Sequence, residues 1–185
     1  METTKDLKKE IKALIHILAD EDIHVRKEAR LLLIVKGKAA VIPLAGSLEH
    51  SRIYNIRWEA VKALDAIGDP QAIPALVKAL NDPRSEIRWL AAEALKKFKK
   101  QAWPELMRML ILKESMNERL RHSVHHVLRD QGDEEFGPLL NELKKALESG
   151  SLPENVPIAA YNLLIKLRKR VQRAAGAKST VNREH

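Results

Sequence analysis

The chain has 185 residues, with 33 Lys and Arg against 25 Asp and Glu, no cysteine, 45% apolar residues and 4% aromatic ones. That apolar content is enough to offset the entropy of ordering a backbone, so the composition is that of a folded chain. The absence of cysteine excludes a disulfide framework, a thiolate nucleophile and any Cys-ligated metal.

In chain order, the opening METTKDLKKEIKALIHIL spaces its apolar residues among charges and has no small-residue cleavage site, so it reads as a helix of the mature protein. The longest apolar runs, such as Leu31 to Val35, fall far short of the roughly 20 residues a bilayer span needs. A cytoplasmic protein without membrane insertion is expected.

Next come three segments that align without gaps: VRKEARLLL from Val25, IRWEAVKAL from Ile56 and IRWLAAEAL from Ile87. Arg26, Arg57 and Arg88 stand 31 residues apart, as do Leu33, Leu64 and Leu95, and Gly37 and Gly68 keep the interval. Pro43, Pro74 and Pro104 follow nearly in step. Weaker copies are LRHSVHHVL from Leu120 and VPIAAYNLL from Val156. A period of this length is the mark of stacked helical units, and five are expected, at about 5–36, 38–67, 69–99, 101–131 and 134–172, with a basic disordered tail over 173–185.

The third unit shows how each one is built. Asp69 is placed to cap a helix with Pro70 in its first turn, and Ile73, Leu76, Val77 and Leu80 recur at helical spacing. Pro74 bends this helix near its start. Asn81, Asp82 and Pro83 end it, and Ile87, Ala91, Ala94 and Leu95 define a second helix. Three residues after each arginine a small side chain (Ala29, Ala60, Ala91, and Ala160 in the fifth copy) lets neighbouring helices approach closely. Asp20 and Asp82 precede Arg26 and Arg88 by six residues, so a carboxylate in each turn is expected to meet the arginine that opens the next helix. The recurrence of these arginines from unit to unit points to a scaffold role.

The stretch GDPQAIPALVKALNDPRSEIRWLAAEAL, from Gly68 to Leu95, resembles the short HEAT-like repeats of the bacterial and archaeal kind related to phycobilisome lyase subunits, and the likeness extends to about Arg170. The resemblance implies an all-α fold, a right-handed α-solenoid of about five stacked helical hairpins whose second helices line a concave surface. It implies no particular activity, since the family includes scaffolds, lyases and metal enzymes.

By that resemblance, the positions one, two and five residues after each arginine point outward: Lys27, Glu28 and Leu31, then Trp58, Glu59 and Lys62, then Trp89, Leu90 and Glu93, then His122, Ser123 and His126. Two tryptophans at one phase of adjacent units, beside Lys62, Glu93, His122 and His126, form a candidate binding hot spot for another protein; the plainer alternative is that the indoles cover their Ala-rich neighbours. His122 and His126 share a helical face at metal-chelating spacing, but no carboxylate lies between them, and the adjacent His-Glu pairs of the HEAT metal enzymes that hydroxylate a modified lysine are missing. Trp89 and Glu93 together are similar to the pocket of HEAT-like DNA glycosylases acting on alkylated purines, although Glu28, Glu59 and Glu93 would dilute a basic groove. No cofactor, metal or catalytic residue is expected.

Charge gathers late in the chain. Lys96, Lys97, Lys99 and Lys100 cluster near the end of the third unit. From Lys166 to His185 seven basic residues face one acidic residue, so that stretch carries +6 of the formal +8. A basic tail of this kind is expected to serve, at most, as an electrostatic accessory toward nucleic acid or another polyanion. Of the three functions weighed, a non-catalytic protein-interaction scaffold is preferred to a glycosylase or a polyanion-binding accessory.

Overall fold

The computed structural model describes residues 4–112, 117–148 and 151–181, with side chains as far as residue 175. Among the described residues there are ten α-helices, two 3-10 turns and no strand. The fold is an all-α helical repeat. The chain divides into two compact units, Met1–Ala102 and Trp103–His185.

The first unit holds α1 (Thr4–Ile17), α2 (Ile23–Lys36), α3 (Lys38–His50), α4 (Tyr54–Ile67), a 3-10 turn (Pro70–Ala72) running into α5 (Ile73–Ala79), α6 (Ser85–Phe98) and a final 3-10 turn (Lys99–Gln101). Helices pair in chain order as α1 with α2, α3 with α4 and α5 with α6. Across the pairs, α1, α3 and α5 lie side by side in one layer, while α2, α4 and α6 form the second. Ala29, Ala60 and Ala91 are buried where the second-layer helices meet, and Leu33, Leu64 and Leu95 are fully buried behind them. Asp22 and Asp69 cap their helices by accepting from the backbone N–H of His24 and Gln71, at 2.8 and 2.9 Å. Pro74 sits in the first turn of α5, where a missing N–H costs nothing. Pro43 lies inside α3.

The second unit comprises α7 (Trp103–Ile111), α8 (Glu118–Leu128), α9 (Gly137–Leu147) and α10 (Asn155–Val181). Here packing departs from simple chain order: α10 lies along both α7 and α9, and α8 packs on α9. The cause is the length of the apolar stripe on α10, where Val156, Ala159, Ala160, Leu163, Leu164 and Leu167 are all buried. On α7, Trp103, Leu106, Met107 and Leu110 are buried in turn, with the Trp103 indole edge-on to Phe136 at 6.2 Å and its N–H donating to Gln131. Helix α10 runs on through the expected tail boundary at residue 172 as far as Val181, and Val171 to Ala175 are exposed on it. The tail side chains of Lys178 and Arg183 lie outside the described ones.

One strained position follows from the repeat. Gly37 and Gly68 leave α2 and α4 with φ of +57° and +66°, a region open to glycine. The residue at the same phase after α6 is Lys99, held at φ +49° and ψ −131°, a backbone state that costs a side-chain-bearing residue about 1–3 kcal/mol. Glycine relieves that strain but gives the unfolded chain more freedom. Lys99→Gly should therefore raise stability by about 1 kcal/mol, seen in urea as a higher midpoint with unchanged slope.

Candidate interaction face of the second helices

The recurrent arginines are structural, though their partners differ from those expected. Arg26, Arg57 and Arg88 each donate from Nη1 to the backbone carbonyl six residues earlier: Asp20 at 2.7 Å, Ser51 at 3.2 Å and Asp82 at 2.8 Å. These turn carbonyls have no partner within a helix, so the guanidinium satisfies them. The carboxylates face elsewhere. Asp20 and Asp82 accept from the N–H two residues on, at 2.8 and 2.9 Å. Asp82 also takes a forked pair from Arg57 of the preceding hairpin, with Nε to Oδ2 at 2.8 Å and Nη2 to Oδ1 at 3.2 Å. Each turn is thus closed by its own arginine, and this one is tied to the neighbouring arginine as well.

At the phase of Asp82, the preceding turn has Ser51, which offers no carboxylate. Arg26 lies instead 3.9 Å from Glu59, which also accepts from Arg30. Glu59, expected to face outward, is consequently 2% exposed between α2 and α4. Two guanidinium groups make burial of that carboxylate tolerable. It follows that Glu59 does not dilute the surface charge of this layer.

Outside this paired interior lies an aromatic row. Tyr54, Trp58 and Lys62, four residues apart on α4, form a continuous stack: the two rings are 5.8 Å apart, and Lys62 Nζ is 5.7 Å from the Trp58 centroid. Arg84, from the turn before α6, rests 4.9 Å from the Tyr54 ring. Burial, with Glu86 beside it, holds the Tyr54 phenol above its usual range, so the ring stays neutral under the cation. Trp58 and Lys62 are half-buried. On α6, Trp89 is 57% exposed, and half-buried Glu93 accepts from Lys96 at 2.9 Å. Trp58 therefore takes Tyr54 of its own helix as ring partner. Tyr54 and Arg84 lie outside the expected contact set, although an aromatic four residues before Trp58 is a signal the sequence does contain.

His122 and His126 stand on α8 of the second unit, exposed and half-buried respectively. His125, half-buried between them in sequence, is held below the usual imidazole range by burial, reinforced by Arg129, His122 and Lys144 and opposed by Glu148. Among the described residues no three His, Asp or Glu side chains are grouped to hold a metal ion. Part of the basic charge of α10 is already engaged: Lys166 donates to the Glu135 carbonyl, and Arg170 Nε lies 3.2 Å from the Glu135 carboxylate.

Paired helices in two layers, with a turn arginine repeated every 31 residues, define a helical-repeat protein. Residues 11–96 match the family model for HEAT repeats. Over that stretch the chain is similar to HEAT repeats. No curated protein matches it.

The turn contacts can be tested directly. Arg57 and Asp82 are both largely buried, so Asp82→Ala should cost about 2 kcal/mol, as expected for losing a charged hydrogen-bonded partner. Adding Arg57→Ala to that variant should cost much less than it does alone, a coupling that a double-mutant cycle in urea reads out. Ser51→Asp, which offers Arg26 the carboxylate that Arg57 already has, should stabilise by about 0.5 kcal/mol.

Proposed function

We propose that this protein is a non-catalytic scaffold that binds another protein. The contact is made through Trp58, Lys62, Trp89 and Glu93 on the first unit, and His122 and His126 are the corresponding contact residues on α8 of the second. The observation that carries this reading is Trp89, an indole left 57% exposed on α6 at the same repeat phase as Trp58. A large aromatic side chain kept in water is costly unless a partner covers it, and Trp is among the residues most enriched in binding hot spots. Tyr54 and Lys62 both lie against the Trp58 ring, which lowers the entropy lost on binding. HEAT repeats in general serve as protein-interaction scaffolds. No helix among the described residues is long and apolar enough to cross a membrane, and we place the protein in the cytoplasm.

The test is affinity capture from a cytoplasmic extract, comparing the wild type with Trp58→Ala/Trp89→Ala. The double variant should keep its helicity and melting temperature within a few degrees and lose its specific partner; a folded variant that retains every partner overturns the site. Excision of an alkylated purine from duplex DNA, abolished by Glu93→Gln, would replace the scaffold reading with the glycosylase one.

The end of α10 is a separate, electrostatic element. Val171 to Ala175 are exposed, so truncation after Gln172 removes little packing. The melting temperature should move by less than about 2 °C, while binding to a polyanion such as heparin at low salt should weaken and the remaining affinity should fall steeply as salt is added.

A further inference from the structure

Among the positions that recur at the 31-residue interval with apolar side chains in all three hairpins of the first unit, four share one pattern of exposure: Ala13, Leu44 and Ala75; Ile17, Leu48 and Ala79; Val25, Ile56 and Ile87; Leu32, Ala63 and Ala94. In the second and third hairpins all eight are buried. In the first hairpin all four are exposed, with Ile17, Val25 and Leu32 at 39%, 37% and 44%. The chemistry is the same at each level and the exposure is not. The second and third hairpins have another hairpin packed on this side, whereas α1 and α2 pack on one another and on α3 and α4. Val35, three residues after Leu32, is 81% exposed as well; its counterparts Ala66 and Lys97 are also exposed, but a large apolar side chain stands at this phase in the first hairpin alone.

A charge marks the same surface. Glu28 occupies on α2 the phase that Glu59 occupies on α4, 31 residues later. Glu59 is buried beneath Arg26 and Arg30, the arginines of the hairpin stacked on it. Glu28 is exposed. Whatever stacks on α2 as α2 stacks on α4 must bring arginine to this carboxylate, since burying it alone would cost several kcal/mol.

We infer that the outer side of the first hairpin is a docking surface for a helical hairpin of another protein, one that lays aliphatic side chains on Ile17, Val25 and Leu32 and an arginine on Glu28. The repeat itself specifies this occupant, because the neighbouring levels show what covers the same residues. A second copy of the chain meeting it by the same face fits less well. Arg26 and Arg30 of each copy are committed to Glu59, so such an interface would hold two Glu28 side chains and supply neither with arginine.

The probe is the chain's own first hairpin, placed ahead of the full protein by joining residues 1–37 to residues 7–185. This keeps the 31-residue register and presents the added Arg26 and Arg30 to the original Glu28. The melting temperature should rise by about 5 °C, and amides of the original α2 should exchange about tenfold more slowly. Glu28→Lys in the original hairpin should cancel that gain, while in the parent chain the same substitution should shift the melting temperature by no more than about 1 °C. An unchanged melting temperature in the extended protein, or a gain that survives Glu28→Lys, overturns the proposal. Sedimentation of the parent chain supplies the remaining arm: a monomer is expected, and a dimer dispersed by Leu32→Glu would assign the face to a second copy instead.

Discussion

Two amphipathic helices in a hairpin carry more apolar surface than they can hide from one another, and the construction of the first unit follows from that excess. The alanines at 29, 60 and 91 let the second-layer helices close up, and the leucines at 33, 64 and 95 fill the space behind them. Once the helices stack for this reason, the turns between them also come into line, and only then can Arg57 reach the Asp82 carboxylate of the next hairpin. The polar contacts fix the register of an association that burial drives. Their removal should loosen the stack without changing its architecture.

Much of this was legible beforehand because it depends on local chemistry repeated at a fixed interval. Asp69 as a cap, Pro74 at a helix start and the apolar stripes of α5 and α6 each follow from a few neighbouring residues. What escaped were contacts that need two hairpins at once. Nothing near Glu59 in the sequence says that Arg26 and Arg30, a whole hairpin earlier, will enclose it, and the pairing of Asp82 with the preceding arginine was likewise out of reach. In the second unit, the packing of α10 on α7 was hidden for a related reason: the repeat signal from Leu120 onward is weak, and the long stripe on α10 has no counterpart in the earlier units.

The candidate interaction residues show the same division. The shared phase of Trp58 and Trp89 came directly from aligning the repeats. The contacts around Trp58 did not: Tyr54 stacks on it from one turn earlier, and Arg84 reaches across from the next hairpin onto the Tyr54 ring. Burial of Glu59 and pairing of Glu93 with Lys96 also change the electrostatic character of this layer, leaving less free acidic charge around the indoles than a list of residues suggests. If the proposed partner contacts this surface, it would meet aromatic planes bordered by lysine and arginine, an arrangement that suits acidic and aromatic groups better than basic ones.

Surface turns ordinarily accept insertions and deletions, because little depends on their length. The short turn from Leu80 to Arg84 does not have that freedom. Its carbonyls are held by Arg88, its carboxylate by Arg57 and its own backbone, so its length is fixed from both sides. One residue added between Asp82 and Arg88 would rotate the start of α6 by about 100° relative to its turn, carrying Arg88 away from its acceptor and Ile87 out of the core. Natural variation in the length of such a chain should therefore be found as whole hairpins gained or lost, with the interior turns kept to a constant count.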